Sequence, residues 1–143
     1  MRRFMAQANQ IVVIGASAGG IDALRAIVSA LPADFPAPIC VVLHTAPQSP
    51  GVLHEILSRA GPLPATNATN GEGIAASHIY VAPPDHHLVV EPEGSGLPRA
   101  RGRIGSGLPS IRCSDRRRRC TVLMQSASSS RGASTTGALD CGR

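Results

Sequence analysis

The run QIVVIGA, Gln10 to Ala16, passes straight into Ser17, Ala18, Gly19 and Gly20 and then into a helix-like pattern. No other stretch limits the fold as much. A short, continuous run of Val and Ile closed by glycines is the pattern of a parallel strand buried on both faces. Ile21, Leu24, Ile27, Val28 and Leu31 then recur at helical spacing, with Asp22 and Arg25 between them, and predict a helix that stops before Pro32. A strand that turns into a helix through such small residues serves one of two purposes. It brings backbone N–H groups up to a phosphate, or it presents a serine in a G-x-S-x-G elbow.

The same alternation continues. APICVVLH (37–44) reads as a second buried strand and TAPQSP as the loop after it. Ser49 and Pro50 suit the N-cap and first position of a second helix, whose apolar face is Val52, Leu53, Ile56 and Leu57, with Gly61 as its C′ residue. PATNAT is a weak strand candidate, whereas HIYVAPP and HLVVEP are stronger ones joined through Pro84–Asp85–His86. The order β-α-β-α-β predicts an α/β fold: a doubly wound, mostly parallel, Rossmann-like sheet with helices on both faces, incomplete at its C-terminal half.

The next strand helps to decide between elbow and phosphate loop. A dinucleotide loop needs a second glycine for close backbone approach, and Ser17 stands in that place, flanked by Ala16 and Ala18. The acidic residue such a loop calls for falls on Asp34, which precedes the second strand instead of ending it. What ends it is His44. A serine and a histidine at the C-terminal ends of neighbouring strands face the crevice where α/β sheets bind ligands, and together they make a nucleophile and a general base. The elbow is favoured; a small nucleotide-binding module is the alternative.

The remaining histidines and cysteines point to no metal. His86 and His87 are adjacent on a strand and so face opposite ways. His54 falls on the polar side of its helix, and Cys113, Cys120 and Cys141 form no C-x-x-C pair.

Charge divides the chain near residue 100. Residues 1–98 hold four Arg against seven acidic residues, net −3, while 99–143 hold ten Arg against two, net +8. The second part has neither helical nor strand period, and TVLM is its single apolar cluster. It reads as a basic tail that forms no packed structure with residues 10–98. RRRR without aromatic residues or a folded platform argues against nucleic acid. MRRFMAQANQ has no signal-peptide pattern and no apolar run is long enough to span a bilayer, so a cytoplasmic protein without membrane insertion is expected. About ten residues precede the first strand, and no folded domain is expected within them.

IGASAGGIDAL, VVLHTAPQSPGVLHEIL and HIYVAPPDHHLVV, in that order and spacing over residues 10–98, resemble the chemotaxis protein-glutamate methylesterase family, the CheB-type catalytic domain. The resemblance implies Ser17 as nucleophile, His44 as general base and the Ala18 N–H as oxyanion donor, with no metal or organic cofactor. It implies hydrolysis of glutamate methyl esters on the cytoplasmic domains of methylated chemoreceptors or related signalling proteins, with glutamine deamidation as a companion activity. It also implies a late aspartate in a DDG-like or NDG-like turn after a VGVVL strand. This chain shows neither, and Asp140 in ALDCG is a superficial match that receives no role.

The family's order continues past Gly102 with RPxIDxLFRSAA and VGVVLxGxxDDGxAGL. Reading 102–143 one register over, third codon base plus the next two, permits RPPIDPLFRSAA and then VGVVLSGRFDDGGAGL without forcing a stop. The resulting division is an N-terminal tail (1–9), a partial catalytic domain (10–102) and a basic or frame-shifted tail (103–143). A chain that ends this way is expected to be impaired. A non-catalytic fragment with a basic interaction tail is the third reading.

Overall fold

A computed structural model describes the backbone of residues 10–44, 50–92, 100–106, 111–113, 119–125 and 135–140, and the side chains of 10–44 and 50–90. The chain opens with β1 (Gln10–Ser17), a 3-10 turn (Ala18–Gly20) and α1 (Ile21–Ser29), then β2 (Ile39–His44) and α2 (Leu53–Ala60). The short strands β3 (Ala65–Asn67), β4 (Gly73–Ile74) and β5 (Ile79–Val81) follow. Next come β6 (His86–Pro92), β7 (Ala100–Ser106), β8 (Ile111–Cys113), β9 (Arg119–Gln125) and β10 (Thr135–Asp140). Six strands form the main sheet in the order β10-β9-β1-β2-β5-β3, and β10 alone runs antiparallel. The expected mostly parallel α/β sheet is present.

β2 is buried from Ile39 to Leu43, as its unbroken apolar run requires, and only His44 emerges. Alternation along β1 and β2 divides their side chains between two cores. Ile14, Ala16, Val41 and Leu43 pack under Leu24 and Val28 of α1 and Leu53 and Leu57 of α2. Ile11, Val13, Cys40 and Val42 pack on the other side with Leu88 and Val90 of β6 and Ile74 of β4. The prediction of helices on both faces is therefore corrected. Among the described residues both helices lie on one face, and a small sheet, β4-β7-β6-β8, covers the other. HLVVEP does form a strand, but it joins this second sheet.

The predicted unpacked tail is corrected too. β7 pairs with β6 from Ala100 to Ser106, and β9 lies parallel to β1 from Gln10↔Arg119 to Ala16↔Gln125. β1 is a central strand with two hydrogen-bonding edges, of which β2 satisfies one. An unpaired buried edge would leave a row of N–H and C=O groups without partners. The TVLM cluster supplies the one stretch of the tail suited to that position.

Both ends of α2 also differ from expectation. It starts at Leu53 behind Val52, with no side-chain cap, and Ser49 lies outside the described residues. Gly61 is extended, at φ −152°, and not left-handed. Its need for glycine is close approach: an added Cβ would lie 2.4 Å from the Val28 carbonyl oxygen and 2.9 Å from Val28 Cγ1. Gly61→Ala is expected to lower stability by about 1–3 kcal/mol through overpacking of α1 on α2. Gly15→Ala, whose added Cβ meets nothing within 4 Å, should change it little. Urea denaturation of the two variants checks the contrast.

At the opposite end of the main sheet, the Thr66 hydroxyl and His78 Nε2 share a 2.9 Å hydrogen bond, and the His78 and Tyr80 rings lie 4.6 Å apart. The Tyr80 hydroxyl accepts from the Ala75 N–H at 3.0 Å and donates to the Gly73 carbonyl at 3.3 Å. Burial holds the His78 pKa below its ordinary 6.5, and Glu72 opposes this in part. Below that ordinary value the unfolded chain binds more protons than the folded one, so His78 favours the fold at neutral pH and this contribution fades as pH falls. Wild type is expected to lose melting temperature faster than His78→Gln as pH drops from about 7 to about 5. Parallel curves would show that His78 is not the group responsible.

Candidate functional site

The C-terminal edge of a parallel sheet is where successive strands deliver polar ends to a common crevice, above all where the chain departs in two directions. β1 is such a place. Its next strand in sequence, β2, lies on one side, and the much later β9 lies on the other. Six register pairs tie β1 to β2, from Val12↔Ile39 to Ser17↔His44, and the last of them joins the two residues the sequence singles out. Neighbouring strands run about 4.8 Å apart. Both residues follow Val13 and Val42 by an even number of positions, so their side chains leave the sheet on the same face. Ser17 is half-buried and His44 is exposed.

The sequence after Ser17 explains the sharp exit. Ala18 and Gly19 are exposed, whereas Gly20 is buried, and a Cβ on Gly20 would meet the Ala16 Cβ at 3.0 Å. Small residues at 18–20 let the chain close a 3-10 turn against the strand end and enter α1 at once. The first N–H groups of a helix have no partner within it and carry partial positive charge. Ala18, the first residue of the turn, places its N–H beside Ser17, where a developing oxyanion would be stabilised.

Asp140 is far from this place. It pairs with Arg119, which in turn pairs with Gln10 at the start of β1. Seven residues of strand rise at about 3.3 Å each and two strand spacings of about 4.8 Å put Asp140 roughly 25 Å from Ser17, at the wrong edge of the sheet. The other candidates are local. His86 Nδ1–H donates to the Pro84 carbonyl at 2.7 Å, and His54 Nδ1–H to the Gly51 carbonyl at 3.0 Å. Among the described residues no three His, Cys, Asp or Glu side chains gather as a metal site would require.

One feature beyond the sequence reading lies a strand away. A recess of about 70 Å³ opens between α2 and the ends of β2, β5 and β3, and Asn67 is among the residues lining it. The signal for it was a polar residue two positions after Ala65 on the helix-facing side of a short strand, too slight to single out.

Comparison with known proteins finds one family. The family model described as CheB methylesterase matches residues 12–139. A protein-glutamate methylesterase/protein-glutamine glutaminase of Myxococcus xanthus is 45% identical over 84 residues, 59% of this chain and 24% of the relative. One from Xanthomonas oryzae pv. oryzae is 34% identical over 131 residues, 92% of this chain and 35% of the relative. The crystal structure of the Thermotoga maritima CheB methylesterase catalytic domain superposes with a TM-score of 0.60 at 34% identity, covering 68% of this chain and 50% of that one. The chain thus spans between a quarter and a half of the length of these proteins.

The β1–β2 register has a direct chemical test. Ser17→Cys combined with His44→Cys should form a disulfide under mild oxidation, because directly opposed residues fall within the Cα separation a disulfide tolerates. Peptide mapping by mass spectrometry would identify it against the native cysteines. A slip of one residue would send the two thiols to opposite faces and give no such link.

Proposed function

The chain belongs to the CheB methylesterase family, and we propose that its Ser17–His44 pair is the catalytic core of a protein-glutamate methylesterase whose third residue is missing from the sequence as written. The observation that carries this reading is the terminal register pair Ser17↔His44 beside the N–H groups that open α1. A serine hydroxyl is a weak nucleophile until an imidazole takes its proton. His44 would accept that proton as Ser17 Oγ attacks the ester carbonyl carbon, and the Ala18 N–H would stabilise the oxyanion that forms. Collapse expels the methoxy oxygen, which takes the proton from His44 and leaves as methanol, with the glutamyl group esterified to Ser17. Water then attacks that ester, gives its proton to His44 and releases the glutamate carboxylate and the free serine. On a glutamine substrate the same sequence would release ammonia.

The substrate we propose is a methylated chemoreceptor cytoplasmic domain or a related signalling protein, met in the cytoplasm. The family and the names of the relatives support that class. No helix among the described residues is long and apolar enough to cross a membrane.

The impairment has a proposed cause. The peptide encoded one register away from residues 102–143 contains RPPIDPLFRSAA and VGVVLSGRFDDGGAGL, in the order the family resemblance calls for. Each free third base allows several choices, so scattered agreement would mean little. Agreement along the whole segment has one simple explanation, a change of reading frame near the codons for Gly102 and Arg103. The triad aspartate would then be encoded across Thr135 and Thr136. Loss of the residue that orients the histidine costs about 10⁴ in kcat in the serine-protease template.

Two experiments decide these points. In the coding DNA, a one- or two-base change near codons 102 and 103 should open the peptide quoted above; third bases that do not spell it would end the frame proposal. In a methanol-release assay on methylated receptor, the 143-residue chain should be about 10⁴-fold or more below its frame-restored form. Ser17→Ala should abolish the restored activity. Equal rates for the written and restored chains would refute the impairment, and restored activity that survives Ser17→Ala would refute the site.

A further inference from the structure

The second sheet brings one more side chain to the edge where Ser17 and His44 stand, and its role there rests on the esterase reading above. β5 runs beside β2 as far as Ala82, whose N–H donates to the Val41 carbonyl at 2.9 Å. The chain then reverses over Pro83–His86. The His86 N–H donates to the Pro83 carbonyl at 3.2 Å, and Asp85 takes a left-handed φ of 60°. His86 opens β6, and β6 packs against β2, the strand that ends in His44. His86 therefore lies at the C-terminal edge of the main sheet, over the face that carries Ser17 and His44.

Which way its ring faces follows from the strand. The β6–β7 register runs unbroken from His86↔Ser106 to Pro92↔Ala100, so no bulge disturbs the alternation of side chains. Leu88 and Val90, on the same side as His86, are fully buried in one core with Val13 and Val42 of the main sheet. His86 points toward the main sheet with them, and it is only half-buried because it stands at the rim. His87 faces the other way. The His86 Nδ1–H is held by the Pro84 carbonyl at 2.7 Å, which fixes the ring and its neutral tautomer. Nε2 then carries the lone pair, and it has no hydrogen-bond partner among the described residues.

We infer that His86 is a substrate-binding residue: its Nε2 accepts a hydrogen bond from an N–H or O–H donor of the substrate protein, beside the glutamyl ester that Ser17 attacks. Sheets packed face to face stand about 10 Å apart. A segment whose ester reaches Ser17 on one sheet therefore passes within a side chain's length of a residue at the same edge of the other. The groups at this edge divide the work. The Ala18 N–H and His44 are both spent on the reacting ester, the first on its oxyanion and the second on the serine proton. A neutral imidazole pinned at Nδ1 can do nothing at Nε2 but accept, so it selects a donor on the adjoining part of the substrate. Because the Pro84 bond orients the ring before the substrate arrives, little ordering entropy opposes the contact.

The test is a binding measurement that needs no turnover. A fluorescent peptide carrying one glutamate methyl ester is titrated with the full Ser17→Ala chain at about pH 8, where an imidazole is neutral. Anisotropy gives the affinity. Adding His86→Leu should weaken binding about five- to tenfold. His86→Gln, which keeps an acceptor, should weaken it less, and His87→Leu, on the other face, should leave it unchanged. Two peptide series identify the donor: N-methylation of each backbone amide in turn, and alanine at each donor-bearing side chain. One member should bind the Ser17→Ala chain about five- to tenfold more weakly and lose nothing further on adding His86→Leu, the mark of a direct pair. Should His86→Leu fail to fold, the NMR resonance of the His86 Cε1–H in the Ser17→Ala chain takes its place. The parent peptide should move that resonance, and the member without the donor should not. Affinity unchanged by His86→Leu, a peptide loss that persists undiminished beside it, or no binding at all would overturn the inference. Methanol release by the frame-restored chain, with binding indifferent to His86, would overturn this inference alone. Binding that depends on His86, with no methanol released, would remove the esterase reading alone.

Discussion

The parallel pairing of β1 with β2 sets the position of every other part of this protein that bears on chemistry. Parallel strands repeat their side chains with a period of two, so moving one strand by a single residue reverses which side chains share a face. Val12↔Ile39, Ile14↔Val41 and Ala16↔Leu43 turn aliphatic residues of both strands toward the helices, while Val13↔Cys40 and the Val42 side chain opposite Gly15 face the second sheet. Two separate cores therefore vote for the same register. Fully burying a Val, Ile or Leu side chain is worth about 1.5–3 kcal/mol, and a slip would carry several of them from one core to the other at once. The polar pair at the end of the ladder has little energy of its own to contribute. Its alignment is a by-product of the hydrophobic residues lower down.

Much of this was legible beforehand because the decisive residues are locally extreme. QIVVIGA and ICVVL contain no polar interruption, which few structures other than a doubly covered strand can accommodate. Ser17 and His44 could be placed at strand ends because a glycine cluster and a loop follow them directly. The features that escaped are those set by tertiary contact. Val52 stands at the head of α2 because Leu53 and Leu57 must reach the core, and no capping chemistry announces it. Gly61 does stand directly after the last residue of α2, as the sequence suggests, but its need for glycine is set by the Val28 carbonyl at the end of a different helix. The second sheet escaped because ARGRIGS carries almost no alternation of its own; its strand exists through pairing with β6. Asn67 was invisible for a related reason, since only the neighbouring elements show that its oxygen is buried.

The tail shows how strongly an unfilled edge shapes what lies beside it. By charge and composition, residues 103–143 look unlike core elements apart from the TVLM cluster, and it is the stretch holding that cluster, Arg119–Gln125, that runs along β1. The demand comes from β1, whose second row of amide groups needs partners whatever their sequence. Asp140 is carried along by this pairing to the opposite end of the strand from Ser17. An edge satisfied in this way holds β1, and with it the Ser17↔His44 register pair, from the side away from β2.

That long-range pairing also orders events in time. Val13 meets Val122 across roughly a hundred residues of chain, whereas it meets Cys40 across a short helical crossover. On a ribosome adding about 5–20 residues per second, β1 and β2 would be ready to join several seconds before β9 has been made. For that interval one edge of the most apolar strand in the protein is open to whatever else can pair with it, including the same strand of another nascent copy. Whether a given cell accumulates this chain in usable form is then governed as much by the crowd of ribosomes translating it, and by the holding factors that reach β1 first, as by the stability of the finished sheet.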